Sequence, residues 1–230
     1  MLTAKKKIST RDAIPTSKSA DFLYRAQEWF TSNSKIVGGV ALGIAALVII
    51  GYLYSSGQAA DDIAANRELR RVQEFYQQQQ YKIAIAGDPA QGIMGLEEIT
   101  EKYSGTPTAE IAMIYLGNAY LYSGDLEKAM ATFEDASPGT EMLEAAALAG
   151  QAAVLEAREQ YADAAELFER AARTFDNEVL KNERMLAAGR DYALAGDMER
   201  AREMLEAVSE SKNQQYKQDA DQLMAQFGLN

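Results

Sequence analysis

The spacing of apolar residues divides the chain into two parts. Residues 36–54 form one apolar stretch without a charged side chain, IVGGVALGIAALVIIGYLY. Beyond it, apolar residues recur every three or four positions, which is the spacing of an amphipathic α-helix. No stretch reads convincingly as a β-strand. The pattern therefore predicts an all-α protein, in which one apolar helix precedes a series of amphipathic helices.

The apolar stretch is long enough to cross a membrane as a helix. At about 1.5 Å per residue its 19 residues span about 28 Å, close to the roughly 30 Å of a hydrocarbon core. Two alternatives are a buried helix of a soluble core and a cleaved signal peptide, with Gly57 and Ala59 as small residues at the cleavage site. Signal peptides have shorter apolar runs and shorter leaders. We therefore expect an uncleaved transmembrane helix over 36–54.

Charge differs sharply on the two sides of this stretch. Residues 1–35 carry seven Lys and Arg against three Asp and Glu, whereas residues 55–230 carry a net charge of −15. Lys and Arg near a span stay on the cytoplasmic side, so we expect a basic cytoplasmic tail over 1–35. Residues 55–230 then lie on the far side, which in a bacterium is the periplasm. The expected location is the bacterial inner membrane, with a single span.

Small residues follow one face of the expected span. Gly39 and Gly43 are four positions apart, and Ala46 continues the same face. Such a stripe lets two helix backbones approach closely within a membrane. Two readings follow, a helix-packing face or the ordinary use of glycine in membrane helices.

Composition argues against most catalytic chemistry. The chain has neither His nor Cys, so it lacks the commonest general base and every thiolate nucleophile or thiolate metal ligand. The adjacent acids Asp61-Asp62 and Glu97-Glu98 do not share a helix face, which favours solvated surface over a catalytic dyad. No Gly-rich phosphate loop is present, and a net charge of −11 argues against nucleic acid. We expect a non-enzyme without catalytic, metal or cofactor-binding residues and without a small-molecule substrate.

A pattern of large and small residues recurs about every 35 residues. Phe133, Phe168 and Leu205 lie 35 and 37 residues apart, and an alanine stands four positions before each. Earlier in each end repeat, Gly117 and Gly189 precede a tyrosine by three positions. This resembles the tetratricopeptide repeat, in which two antiparallel helices meet at small residues and aromatic side chains fill the surrounding space. The resemblance implies an α-solenoid of helix pairs, and a helical bundle without repeats is the alternative.

Turn residues mark the boundaries of these helix pairs. Gly124-Asp125 and Gly196-Asp197 are expected at turns within two pairs, with Gly in a left-handed conformation and Asp starting the second helix. The pair between them is degenerate: Ala152 stands where the first helix usually has Gly, and Glu159 stands at the turn. The expected organisation is a tail at 1–35, the span at 36–54, a long linking helix at 55–86, repeats at 87–212 and a capping helix at 213–230.

The first repeat is expected to diverge from the others. Residues 61–86 read as one long helix, in which the glutamines at 77–80 form a polar face. Gly87-Asp88-Pro89 is expected to end this helix, because proline is well tolerated at the start of the next one. Residues 90–103 read as that next helix, the second of the pair.

Stacked repeats leave a concave surface lined by the first helix of each pair. On it, Asn118 and Arg190 are candidates to hold a peptide backbone or a carboxylate, although Ile114 stands where carboxylate-clamp repeats carry lysine. A mostly apolar groove, occupied by a partner segment or by the protein's own helices, is the simpler reading. The residues expected to line the groove are Ile111, Ile114, Asn118, Tyr122, Ala153, Glu156, Leu186 and Arg190.

The layout of the whole chain resembles the YfgM-type ancillary subunit of the bacterial SecYEG translocon. The resemblance rests on the order of a basic tail, one span, a long linking helix and about three and a half repeats. It also rests on the segment Lys102-Tyr103-Ser104-Gly105-Thr106, which runs into Ala109 and Ala112. It implies a membrane-tethered periplasmic module that associates with the translocon and a membrane-anchored chaperone and helps hand over emerging proteins. A structural scaffold of another envelope complex and a cytoplasm-facing adaptor of inverted topology are the alternatives.

Overall fold

Residues 25, 27, 29, 32–136 and 139–229 are described by the structure, a computed structural model. The chain forms two compact units, Met1–Ser55 and Ser56–Asn230. In chain order the helices are α1 (Ser34–Gln77), α2 (Tyr81–Ala86), α3 (Leu96–Lys102), α4 (Pro107–Ser123), α5 (Leu126–Asp135), α6 (Glu141–Ala157), α7 (Tyr161–Thr174), α8 (Glu178–Ala195), α9 (Met198–Ser209) and α10 (Gln214–Phe227). Strands β1 (Gly87–Asp88) and β2 (Ile93–Met94) lie between α2 and α3.

The first unit contains the beginning of α1. Within 36–54 the structure describes the side chains at 43, 44 and 46–49 only, so Gly39 lies outside the described side chains. Ile44, Leu47, Val48 and Ile49 are exposed, and among the described residues nothing outside the local helix backbone lies within 4 Å of a Cβ placed on Gly43. None of the helices in the described ranges is long and apolar enough to cross a membrane.

The second unit consists of antiparallel helix pairs, each joined by a tight turn. The predicted turn chemistry is confirmed at Gly124 and Gly196, which have φ of 85° and 89°. Asp125 and Asp197 each accept a hydrogen bond from a backbone N–H three residues further on, and so cap the following helix. In the degenerate pair Glu159 takes the same left-handed conformation, with φ of 59°. The backbone thus makes the same turn even without glycine.

The first pair begins earlier than the sequence suggested. The prediction of one helix over 61–86 is wrong, because α1 ends at Gln77 and Gln79 adopts φ of 59°. The backbone N–H of Gln80 donates to the carbonyl of Phe75, just as that of Gln160 donates to Leu155 after Glu159. The glutamines at 77–80 therefore form the turn within a helix pair rather than a polar helix face.

One burial pattern unites the four turns. The fifth residue after each left-handed residue is an alanine without exposed surface, and these alanines are Ala84, Ala129, Ala164 and Ala201. A small side chain at this position lets the second helix lie close against the first. The structure therefore has a complete first repeat, in which the end of α1 is the first helix.

A hairpin interrupts the second helix of this first repeat. Gly87 pairs with Met94 and Asp88 with Ile93 in an antiparallel register. The helix predicted over 90–103 begins only at Leu96, because Pro89 lies in the hairpin turn, where Asp88 Oδ1 accepts from the N–H of Ala90. A Cβ on Gly87 would lie 2.6 Å from the nitrogen of Gly95. Gly87, where the hairpin begins, thus lies directly beside Gly95, after which α3 begins.

The core is divided into two clusters of buried side chains. The first joins the first two repeats and includes Val72, Leu96 and Phe133, and the second joins the last two and includes Phe168 and Leu205. Leu223, Met224 and Phe227 of α10 pack against the second cluster. The last helix therefore covers apolar surface that the final repeat would otherwise expose.

Candidate protein-binding surface

The first helices of the four pairs, called the A helices here, are the end of α1, α4, α6 and α8. Two contacts show that neighbouring A helices touch. The rings of Tyr76 on α1 and Tyr115 on α4 meet at 5.1 Å, and Arg190 Nη2 on α8 lies 2.9 Å from Glu156 Oε2 on α6. The side of the A helices that carries the predicted groove residues, such as Ile111 and Tyr122, is called the A surface below.

The predicted groove residues differ in exposure. Tyr122 is 60% exposed and Ile111 is 36% exposed. Ile114 is half-buried against the first core cluster, and Ala153 and Leu186 are half-buried against the second. Most aliphatic side chains of the expected groove are thus partly covered by the core and only partly accessible to a partner.

The structure joins two of the predicted residues directly. Arg190 forms an ion pair with Glu156 and donates through Nε to Asp191 Oδ1 at 3.0 Å. Asn118 lies on α4, two A helices away from Arg190, and no hydrogen bond joins them among the described residues. The guanidinium of Arg190 is held by Glu156 and Asp191 of this chain, and the role predicted for Asn118 and Arg190 in holding a peptide stays a prediction.

Asp191 was not singled out by the sequence reasoning. Its side chain has no exposed surface, and no described group hydrogen-bonds to its Oδ2. Burial raises its pKa to about 6, Arg190 opposes this shift, and the charge of Glu156 adds to it. The corresponding residues of the two preceding repeats, five before each turn, are Ala119 and Val154. Alignment of the repeats could have singled out Asp191, because it places this acid where the two preceding repeats have buried apolar residues.

A cluster of tyrosines was also missed. Tyr81 contacts both Tyr76, at 5.5 Å between ring centroids, and Tyr122, at 5.4 Å. Tyr76 also contacts Tyr115, so four rings form a continuous chain across the first two repeats. Tyr81 and Tyr122 were not recognisable as neighbours from the sequence, since the turn at Gln79 brings them together.

Glu97 of the acidic pair at 97–98 is part of a contact between two helices. Tyr120 donates its hydroxyl to Glu97, and Lys128 lies 5.0 Å from the centre of the same ring. Tyr192, Glu169 and Arg200 repeat this arrangement between the last two pairs. Burial and the bond to Glu169 raise the pKa of Tyr192 to about 12. Among the described residues, no group of three or more Asp and Glu is placed to hold a metal ion.

Comparison with known proteins agrees with this architecture. Residues 27–180, more than half of the chain, match the model of the tetratricopeptide repeat-like domain. No curated protein and no solved structure matches the chain. The matched residues include the first three turns described above, at Gln79, Gly124 and Glu159. The chain therefore belongs to the tetratricopeptide repeat-like family and is built to interact with other proteins.

Proposed function

We propose that this protein is a membrane-anchored adaptor that binds partner proteins on its A surface. The observation that carries the proposal is the exposure of large apolar side chains on two of the A helices, namely Ile111 and Tyr122 on α4 and Leu194 on α8. Apolar side chains exposed together on one surface are typical of protein contacts. Both helices also carry buried side chains of the two core clusters, which fixes their positions.

The proposal also assigns the protein a membrane topology and a cellular compartment. The uncharged stretch 36–54 and the basic character of residues 1–35 support a single span with the repeats outside the cytoplasm. The resemblance to the YfgM-type subunit supports a partnership with the SecYEG translocon and a membrane-anchored periplasmic chaperone. In that setting the repeats help transfer newly exported proteins from the translocon to the chaperone.

Protease access tests the topology. Intact spheroplasts of a producing bacterium are treated with protease, with one cytoplasmic and one periplasmic protein as markers. Digestion of residues 60–230 while the cytoplasmic marker survives is the expected result. Protection until the membrane is lysed would instead support a cytoplasm-facing adaptor.

Co-purification in mild detergent tests the partners. We expect SecYEG subunits and a periplasmic chaperone to accompany the full chain, and Ile111→Arg on the A surface to reduce their recovery. The matched control is Met198→Arg, which changes an exposed apolar residue on α9, outside the A helices. Recovery of a different envelope complex would favour a structural scaffold, and equal recovery with both variants would remove the A surface from the interaction.

A further inference from the structure

A cleft lies beside the turn of the first helix pair. It encloses about 470 Å³, within the range of small-ligand and peptide sites. Its lining residues come from the first two repeats and are Gln79, Gln80, Tyr81, Lys82, Ile83 and Ser123. The cleft therefore lies at the turn end of the first helix pair and shares no lining residue with the predicted groove.

One wall of the cleft continues into the tyrosine chain. The ring of Tyr81 packs against that of Tyr122 with an interplanar angle of 30°, and Tyr122 is mostly exposed. Behind them Tyr76 and Tyr115 are half-buried against the first core cluster. Because the inner rings are held by the core, the outer pair forms a rigid aromatic face that needs little ordering on binding.

The chemistry of this wall fits a polyproline II helix. Such a helix has no internal hydrogen bonds, so its carbonyls are free to accept, and proline rings pack well against aromatic faces. The cleft offers the amide of Gln79 and the ammonium of Lys82 as donors beside the rings of Tyr81 and Tyr122. Aromatic rings interleaved with hydrogen-bond donors are what proline-rich ligands select.

The charge of the lining residues restricts the class of ligand further. Lys82 is the only charged residue lining the cleft, and no carboxylate among the described residues pairs with it. An unpaired cation beside an otherwise neutral cleft favours a segment that carries acidic residues. We propose that this cleft binds a proline-rich segment of a partner protein with an acidic residue next to its prolines. The proposal rests on the proposed function only in that the ligand is a protein.

Peptide binding to the full chain in detergent or nanodiscs tests this inference. The probe is a labelled peptide with a Pro-x-x-Pro core and flanking Asp residues, and its affinity is measured by fluorescence anisotropy. We expect saturable binding, weakened at least about tenfold by Tyr122→Ala. Lys82→Glu should reverse the preference between this peptide and one with flanking Lys residues.

Matched controls separate the cleft from general effects. Tyr161→Ala changes the tyrosine at the same place after the third turn, and Met198→Ala changes an exposed apolar residue on α9, outside the A helices. Both should bind the probe like the wild type, and circular dichroism should show that all variants are folded.

Several results would overturn the proposal. These are no binding below about 1 mM, equal binding of a Gly/Ser peptide with the same Asp residues, or equal binding by Tyr122→Ala. Self-association that Tyr122→Ala abolishes, without peptide binding, would assign the cleft to a second copy of the chain. If the wild-type chain recovers its partners but does not bind the probe, only the cleft proposal is refuted. If it binds the probe but recovers no partner, only the proposed function is refuted.

Discussion

Replacing Gly150 by alanine should destabilise the repeats through a single aromatic ring. A Cβ on Gly150 would lie 2.4 Å from Cε1 and Cζ of Phe133, and one on Gly117 would lie 2.6 Å from Cε1 of the same ring. The ring has 1% of its surface exposed and is held between the two glycines. Because the ring is buried, it and the side chains or helices packed around it must shift to admit the methyl group.

The expected magnitude combines two opposing terms. Overpacking of a closed core costs about 1–3 kcal/mol, and the short distance at Gly150 argues for the upper part of that range. Alanine is a better helix former than glycine by roughly 1 kcal/mol, which offsets part of the cost. The free energy of unfolding should fall by about 1–2 kcal/mol, measured by urea unfolding of the full chain in detergent and followed by circular dichroism.

A second substitution tests whether the ring is the cause. Phe133→Leu introduces the smaller side chain that Leu205 already provides opposite Gly189 in the last repeat. In that background Gly150→Ala should cost little or should stabilise, which a double-mutant cycle measures as coupling. Wild-type stability of Gly150→Ala alone, or an undiminished cost in the Phe133→Leu background, would refute the packing argument.

Three further predictions concern charge, backbone and membrane. Because burial raises the pKa of Asp191 from its usual 3.8 to about 6, the folded state holds this proton more tightly than the unfolded state, so stability should fall as pH rises from about 4 through 6. Asp191→Asn should flatten that part of a pH series of unfolding free energies, and the wild type should lose up to about 3 kcal/mol across it. Glu159→Gly and Gln79→Gly should each raise the melting temperature, since glycine relieves a left-handed conformation that costs other residues about 1 kcal/mol; an unchanged or lower value would count against strain at these turns. Replacing both Gly39 and Gly43 with Leu should leave the protein in the membrane but reduce recovery of a membrane partner, and equal recovery would show that the repeats alone carry the interaction.

Much of the helical architecture was readable because its signals are local. Gly124-Asp125 and Gly196-Asp197 combine a residue that tolerates positive φ with a side chain that caps the next helix, and both act within a few residues. The small and large residues at Gly117 and Phe133 likewise repeat at a fixed period. Such patterns predict helix pairs without knowledge of the final packing.

Tertiary structure decided the features in which local preference was overruled. No local signal marks Gln79 as a turn, and its left-handed backbone is compensated by the burial of Ala84 and the contacts of Tyr81. The hairpin after Gly87 likewise depends on a close return of the backbone that the sequence does not reveal. The sequence by itself determined the repeat and most of its turns. Packing between repeats decided where the first pair bends, that Asp191 is buried and that four tyrosines meet, because these depend on contacts between residues far apart in the chain.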